Sequence, residues 1–518
     1  MAVNALDVAL IPFKSPQEDI LFSLNKVADT QCLPHWDSDT CRDILAHFSS
    51  FAEAEIAPLD ETGDAEGCQF VNGSVQMPAG FTEAYARLLE GGWQGLSAPE
   101  AFGGMGQNKL IAAAVSEVFS GANHAMQMVC NLVPGAISTL LQFGTASQQQ
   151  QWIPRLASGT ALSTMCLTEP GAGSDLARIQ TKATCTNGEW ELSGEKVFIS
   201  GGDQNLSEDI IHLVLARSGT NGIKGLSLFL CSKAESGDTI RVARIEEKLG
   251  LHASPTCHMV FDRAPAELIG EEGDGLTAMF TVMNHARIDV ALQGVAHAAR
   301  AYDIAHSYAT QRVQGRQHDG SDAVLSDHAD VRRMLDEQRT LSLGARSMAH
   351  IALLEMERSE QTALIEFLTP LCKVFCTEAG IRCADLGIQI LGGYGYLGEY
   401  RVGQTWRDAR ITAIYEGANG IHELAIATRG LRWQSGAGAD QFDKLVCALA
   451  TENTALVHKI NAWREERAKM LLLDDPSAQA HQFAQATAEL FFRAVWERIA
   501  SVSDDAELKR LYTVVCQR

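Results

Sequence analysis

No two of the thirteen cysteines in this 518-residue chain are spaced as CxxC. Such pairs are the usual mark of a structural zinc site or a dithiol centre. An odd, dispersed set points instead to free thiols in a reducing compartment. Cys372 and Cys376, four apart on an expected helix, read as core filling rather than as metal ligands. Basic residues are also scarce: 42 Lys and Arg stand against 64 Asp and Glu, a formal charge of −22. That balance argues against nucleic acid, whose phosphates need a Lys/Arg surface. Long apolar runs are missing as well, none nearing the ~18–20 residues that span a bilayer. The opening MAVNALDVALIPFK has neither the basic segment nor the long apolar core of a signal peptide. No internal repeat and no low-complexity tract interrupts the chain. The expectation is a soluble, cytoplasmic protein with no metal, no nucleic acid and no membrane among its partners.

What is present is ample apolar material, 46% of residues against 20% charged, enough for several buried cores. Residues 1–163 read as helical: apolar positions recur at three- and four-residue spacing from Cys41 to Leu59, with a stop expected at Pro58. Thr145 stands as a cap ahead of a short helix. Over 164–275 the period changes to two, and Asn187-Gly188 between alternating runs signals a hairpin. A small antiparallel barrel or sandwich is expected there, not a dinucleotide-binding βαβ unit. Residues 276–430 are helical again, with Pro370 a candidate kink, and a further helical section fills 431–518. The fold class is therefore α+β.

Three stretches carry chemistry. Residues 389–428 hold a glycine-rich turn (Gly392, Gly393, Gly395), an arginine-rich run and then Tyr415-Glu416-Gly417 before an apolar helix. A carboxylate in that position is commonly a helix cap; it can also be a general base fixed over a buried substrate. The segment Cys166–Asp175 places Pro170 and two glycines at a strand end, with the hydroxyls of Thr168 and Ser174 beside them. Lys196–Gly202 ends another strand with an aromatic, a hydroxyl and two glycines.

TEPGAGSD, KVFISGG, KLGLHASPT, QRVQGR, QILGGYGY and IYEG stand in the order and spacing of the acyl-CoA dehydrogenase family of flavoproteins. The resemblance covers roughly residues 40 to 430. MCLTEP, HASPTC, RVQGR and the helical extension resemble its 3-methylmercaptopropionyl-CoA dehydrogenase-like subgroup. The resemblance implies a helical N-terminal domain, a middle β-barrel and a C-terminal four-helix bundle. It also implies FAD as cofactor, an acyl-CoA substrate and electron-transfer flavoprotein as redox partner.

By the same resemblance Leu167 and Thr168 meet the flavin pyrimidine edge, Phe198 packs on the isoalloxazine and Ser200 lies near its N5. Ser174 lies near both the FAD pyrophosphate and the acyl-CoA. Arg312 and the Gln389–Gly393 turn, with Gly392 and Gly393, match residues reaching the FAD of a neighbouring subunit, which implies a homodimer or tetramer. Glu416 matches the catalytic base, with Arg287, Tyr415 and Gly417 joining Ser174 as substrate-binding residues. Removing an α-proton while hydride leaves the β-carbon requires such a carboxylate opposite the flavin.

The sequence departs from the family pattern at three positions. Ala286 occupies the alternative place for the base, so Glu416 has no competitor. Ala418 stands where a threonine is common, removing a hydroxyl from the FAD ribose. Gln314 replaces a usual phenylalanine. His252, His258 and His422 read as structural or surface residues. Two other readings are an oxidase or monooxygenase on the same scaffold, and a DNA-associated relative like the alkylation-response flavoproteins, which the acidic charge disfavours.

Overall fold

The computed structural model describes residues 11–219, 222–358, 362–450 and 453–517. The first ten residues, which carry most of the signal-peptide expectation, lie outside them. The chain forms two compact units. One comprises Ala54–Asn108 and Asn123–Ala286; the other comprises the residues up to Glu53, Lys109–Ala122 and Arg287 onward.

The first of these units is built on the period-two segment. A small hairpin, β1 (Gln69–Val71) and β2 (Ser74–Gln76), precedes β3 (Ala161–Cys166), β4 (Lys182–Thr186), β5 (Glu189–Ser200), β6 (Asp209–Arg217), β7 (Leu226–Ser232), β8 (Ile240–Ile245) and β9 (Thr256–Ile269). Pairings β6–β4, β4–β5, β5–β9, β9–β7 and β7–β6 return to their starting strand, which closes a barrel. β3 and β8 flank it. Asn187 and Gly188 both adopt positive φ, the backbone that a tight two-residue hairpin requires. Every residue of β7 and nearly every residue of β6 is buried, so those strands are continuous apolar runs rather than alternating ones. The sheet is mixed where an antiparallel one was expected, because β6 runs parallel to β3 and β4. The β4–β5 hairpin lies between β3 and β6 in sequence and returns the chain in its original direction.

Two further expectations are corrected here. The helix expected from Cys41 to a stop at Pro58 is instead a helix over Ser38–Phe51, a π-helical turn over Ala52–Ile56 and a new helix over Pro58–Glu66. Pro58 opens that helix because its missing N–H is not needed in a first turn. The β1–β2 hairpin also lies inside the region read as helical. Thr145, by contrast, makes the expected cap, a reciprocal capping box with Gln148.

The other unit is helical. The Gly275–Gln311 and Thr362–Leu391 helices touch backbone to backbone: a Cβ on Gly294 would fall 2.4 Å from the Cys376 carbonyl oxygen, and one on Gly380 would fall 2.6 Å from the Gly294 oxygen. Pro370 lies inside the second of these helices without ending it. After Gln311 a hairpin, β10 (Val313–Arg316) with β11 (Asp322–Val324), interrupts the expected helical run. Helices Val402–Thr412 and Asn419–Ala427 follow, and the extension adds Ala437–Leu449, Thr454–Leu472, Ala480–Val502 and Ala506–Gln517. The extension shares this unit's core. Phe442 packs on Phe367 and Phe492 on Phe375, while Trp496 donates to the Thr340 carbonyl at 3.1 Å. All thirteen cysteines are unpaired, and Cys372 and Cys376 are buried. No described helix is long and apolar enough to cross a membrane.

Candidate active site

Between the Val402–Thr412 and Asn419–Ala427 helices the chain makes a tight reversal. Glu416 (φ +53°) and Gly417 (φ +93°) are consecutive left-handed residues. Holding a non-glycine residue there costs of order ~1–3 kcal/mol and needs support from its surroundings. That support comes from two buried basic side chains. His422 Nε2 donates to the Glu416 carbonyl at 3.0 Å, and Lys373 Nζ donates to the Gly417 carbonyl at 2.8 Å and to Asn419 Oδ1 at 2.9 Å. Glycine at 417 is required twice, by its φ and because a Cβ would lie 2.7 Å from His422 Nε2. The N-cap of the following helix is Ala418, which has no capping side chain, so Glu416 is not that helix's cap.

Glu416 keeps some exposed surface, yet protein crowds its carboxyl. Burial drives its pKa up to about 7 against the pull of Arg287 and Lys373, with Asp289 pushing the same way as burial. Burial likewise pushes the Lys373 ammonium down to about 7, although Glu416 works against it. His422 falls to about 4, again through burial, so it is neutral near pH 7 and free to donate from Nε2. Beside the base, burial holds the Tyr415 phenol well above its ordinary range. Its hydroxyl donates to Gln293 Oε1. Gln293 in turn donates to Asp289 at 3.0 Å, and Asp289 also accepts from the Ser116 hydroxyl. Arg287, Asp289 and Gln293 all come from the Gly275–Gln311 helix. The close glycine contact between that helix and Thr362–Leu391 brings the helices bearing Arg287 and Lys373 together. A carboxyl with a pKa near 7, under the pull of Arg287 and Lys373, is suited to removing a weakly acidic proton.

In the barrel unit two of the motifs meet. Lys196 Nζ, fully buried, donates to Glu169 Oε1 (2.9 Å), Leu167 O (2.9 Å) and Leu215 O (2.7 Å). Glu169 also accepts from the backbone N–H groups of Gln180 and Thr181. The Val197 N–H donates to Thr168 O at 2.8 Å. These bonds join the end of β3 to β5 just before a bulge, where Phe198 adopts φ +61°. Phe198 is 64% exposed between the buried Val197 and Ile199. An apolar ring held outward by a strained backbone, with Ser200 two residues on, fits a planar cofactor such as FAD. Leu167 is buried and Thr168 partly so, and the carbonyls of both are taken up by Lys196 and by the Val197 N–H. Ser174 is exposed in the loop after β3, where Gly171 and Gly173 have open space around them.

The third group lies elsewhere. The Arg312 guanidinium sits 5.4 Å from the centre of the ring of Tyr394, the residue that follows Gly392 and Gly393 in the chain, and Gln389 is exposed on the helix that leads into that turn. Gln389 is sixteen residues from Lys373 on one helix, or about 24 Å at 1.5 Å per residue. Glu416, Arg287, Tyr415 and Gly417 therefore form one cluster in the helical unit, and Arg312, Gln389, Gly392 and Gly393 form another.

Three family models match the chain: the acyl-CoA dehydrogenase N-terminal domain over 38–160, the middle domain over 164–264 and the C-terminal domain over 273–431. The chain belongs to the acyl-CoA dehydrogenase family. Among relatives of this family, 3-methylmercaptopropionyl-CoA dehydrogenase of Ruegeria pomeroyi is 40% identical, over 85% of this chain and 80% of its own length. The broad-specificity linear acyl-CoA dehydrogenase FadE5 of Mycobacterium tuberculosis is 33% identical, over 79% and 74%. Caenorhabditis elegans ACDH-11, solved with C11-CoA, is 20% identical but shares the fold over 98% of this chain and 91% of its own, with a TM-score of 0.82. That match takes in the extension beyond residue 431. As a member of the acyl-CoA dehydrogenase family, the chain is an FAD-dependent oxidoreductase.

Sequence reading missed Lys373, Asp289, Gln293 and the Lys196–Glu169 pair, and it set His422 aside as structural. The one available signal was the lone lysine in TPLCKVFC, a charge inside an apolar helical run.

Proposed function

We propose that this chain oxidises an acyl-CoA thioester to its trans-2-enoyl-CoA, with Glu416 as the base that takes the α-proton. The observation that carries the assignment of the base is the left-handed Glu416 turn, whose carboxyl has a pKa near 7 beside Arg287 and Lys373. The Glu416 carboxylate accepts the α-proton, and the positive charge of Arg287 and of protonated Lys373 offsets part of what burial costs its ionised form. Tyr415 and Gly417 fix the turn on either side of the base. Phe198, Ser200, Leu167 and Thr168 would hold the flavin, and Ser174 would contact both cofactor and substrate. FAD, when bound, supplies the acceptor for the hydride leaving the β-carbon.

We assign the substrate to short acyl-CoAs of the 3-methylmercaptopropionyl class, on the strength of the 40% identical relative. Electron-transfer flavoprotein is proposed as the acceptor. The unpaired cysteines suit a cytoplasmic enzyme of acyl-chain metabolism. The domains proposed are 1–163, 164–275, 276–430 and 431–518. Anaerobic flavin bleaching by a panel of straight, branched and 3-thio acyl-CoAs tests the reading. The 3-methylthio thioester is expected to bleach fastest, and absence of bleaching by every acyl-CoA defeats the proposal. Rapid reoxidation of the reduced enzyme by air would assign it to the oxidase class instead.

The pH dependence follows from the base. Glu416 works only when ionised and titrates near 7, so the limiting bleaching rate should fall about tenfold per pH unit well below 7 and level off above it. Stopped-flow traces between pH 5.5 and 8.5 check this. A rate independent of pH across that range would contradict it.

The Arg312 cluster stands ~24 Å along the helix from the Glu416 site, which supports its serving the FAD of another subunit in a homodimer or tetramer. Arg312→Ala is expected to lower flavin content and weaken the oligomer together, because a ligand shared across an interface stabilises the assembly. The ratio of flavin to protein absorbance and light scattering after gel filtration report both effects. Full flavin content in an intact oligomer would remove Arg312 from the site.

A further inference from the structure

The family model for the C-terminal domain ends at residue 431, but the hydrogen bonds around Glu416 do not. Lys373, which holds the Gly417 carbonyl, also bonds Asn419 Oδ1 at 2.9 Å. Asn419 Nδ2 donates onward to Thr377 Oγ1 at 3.2 Å and to Glu378 Oε1 at 3.3 Å. The other Glu378 oxygen accepts from Gln485 Nε2 at 3.0 Å, and the same nitrogen donates to Glu423 Oε1 at 3.2 Å. Glu423 is buried and also accepts from His481 Nδ1 at 2.8 Å. Gln485 and His481 lie on the Ala480–Val502 helix of the extension. Glu378 lies on the helix that supplies Lys373, and Glu423 follows His422, which holds the Glu416 carbonyl. One side-chain amide from the extension therefore bridges carboxylates on the two helices that supply the tethers of the base. Without a donor between them, the two carboxylates would repel each other and spread those helices.

We propose that the C-terminal extension is a positioning element for the reaction, in which Gln485 bridges Glu378 and Glu423 and so fixes the turn that aims Glu416. The inference rests on Glu416 being the base. It gives the extension a role beyond filling core: Gln485 acts through Lys373, Asn419 and His422 and touches no reacting atom. A base displaced by a fraction of an ångström loses rate without losing substrate affinity.

The test uses the flavin-loaded enzyme and anaerobic stopped-flow reduction by an acyl-CoA that bleaches the wild type. Gln485→Leu removes both bonds, Gln485→Lys restores a donor to both carboxylates, and Thr487→Val is the control. Thr487 lies on the same helix and accepts from Trp463 Nε1 at 2.9 Å, away from the bridge. Gln485→Leu is expected to slow the limiting reduction rate about 10–100-fold, with flavin content and acyl-CoA Kd within about twofold of wild type. Gln485→Lys should recover most of the rate, and Thr487→Val should retain it. A Gln485→Leu rate within twofold of wild type overturns the proposal, and so does equal slowing in Thr487→Val. Gln485→Ala serves the same comparison if the leucine variant does not accumulate. Glu416→Gln is run alongside: if it reduces normally, the base assignment falls and this proposal with it. Normal rates in the Gln485 variants alone leave the base assignment standing.

Discussion

Glu416→Gln is expected to leave a folded, yellow enzyme that binds acyl-CoA but whose flavin bleaches about 10²–10⁴-fold more slowly, the usual loss on removing a general base. Glutamine keeps the volume of the side chain and needs no change at φ +53° beyond what glutamate already sustains. The tethers from His422 and Lys373 reach backbone carbonyls, so they survive the substitution. What is lost is the capacity to accept a proton near pH 7. Among the described residues, the carboxylate of Asp289, which bears on the Glu416 charge, is already engaged by Gln293 and Ser116. Helix capping does not enter the outcome, because Ala418 occupies the cap position. Stability should equal or slightly exceed that of wild type, since an ionised carboxyl whose pKa burial has raised costs the folded state free energy at neutral pH. Anaerobic stopped-flow bleaching measures the effect directly, and a glutamine variant that reduces at nearly the wild-type rate would sink the mechanism.

The largest loss of stability is expected from Lys196→Met. The lysine is buried, with three acceptors within 2.9 Å, and its removal leaves the Glu169 carboxylate and the Leu167 and Leu215 carbonyls without that donor. Breaking one side of a buried ion pair typically costs ~3–5 kcal/mol, far more than an exposed pair is worth. Burial opposes ionisation of Glu169, but Lys196 and the N–H groups of Gln180 and Thr181 outweigh it and hold the carboxyl below its ordinary range. Its contribution to stability is therefore present above the unfolded carboxyl pKa and is lost as pH falls through the lower folded value. In the methionine variant the same carboxyl loses its counter-charge, so the deficit should shrink toward acid pH and in a Lys196→Met/Glu169→Gln double variant. Urea unfolding of the flavin-free proteins at pH 7 and pH 5 measures both. A single variant within ~1 kcal/mol of wild type at pH 7 would show that the pair does not hold β3 to β5 as argued.

Local pattern was enough for much of the architecture. The change of period near residue 164, the Asn187-Gly188 turn and the Thr145 cap each depend on a few adjacent residues, and each is where the pattern put it. Where the expectation failed, a local signal had two meanings. Pro58 can end a helix or open one, and the difference is whether a preceding turn needs its N–H. The parallel pairing of β6 with β3 depends on where a hairpin sends the chain, which alternation does not encode. The motif residues themselves were also visible: IYEG, TEPGAGSD and KVFISGG pointed to Glu416, Thr168, Ser174, Phe198 and Ser200 through ordered resemblance.

The sequence by itself determined most of the helical and strand segments, the family and the one acidic residue in the IYEG motif, because each is written in neighbouring residues or in motifs of fixed spacing. Only the tertiary structure decided what holds that residue in place. Lys373 is 43 positions from Glu416, Gln485 is 69 away and Lys196 is 27 from Glu169. Each is drawn in by the same cause. Burying a charge or a polar backbone group without a partner costs several kcal/mol, so the fold must bring it one, and nothing in the local sequence says from where.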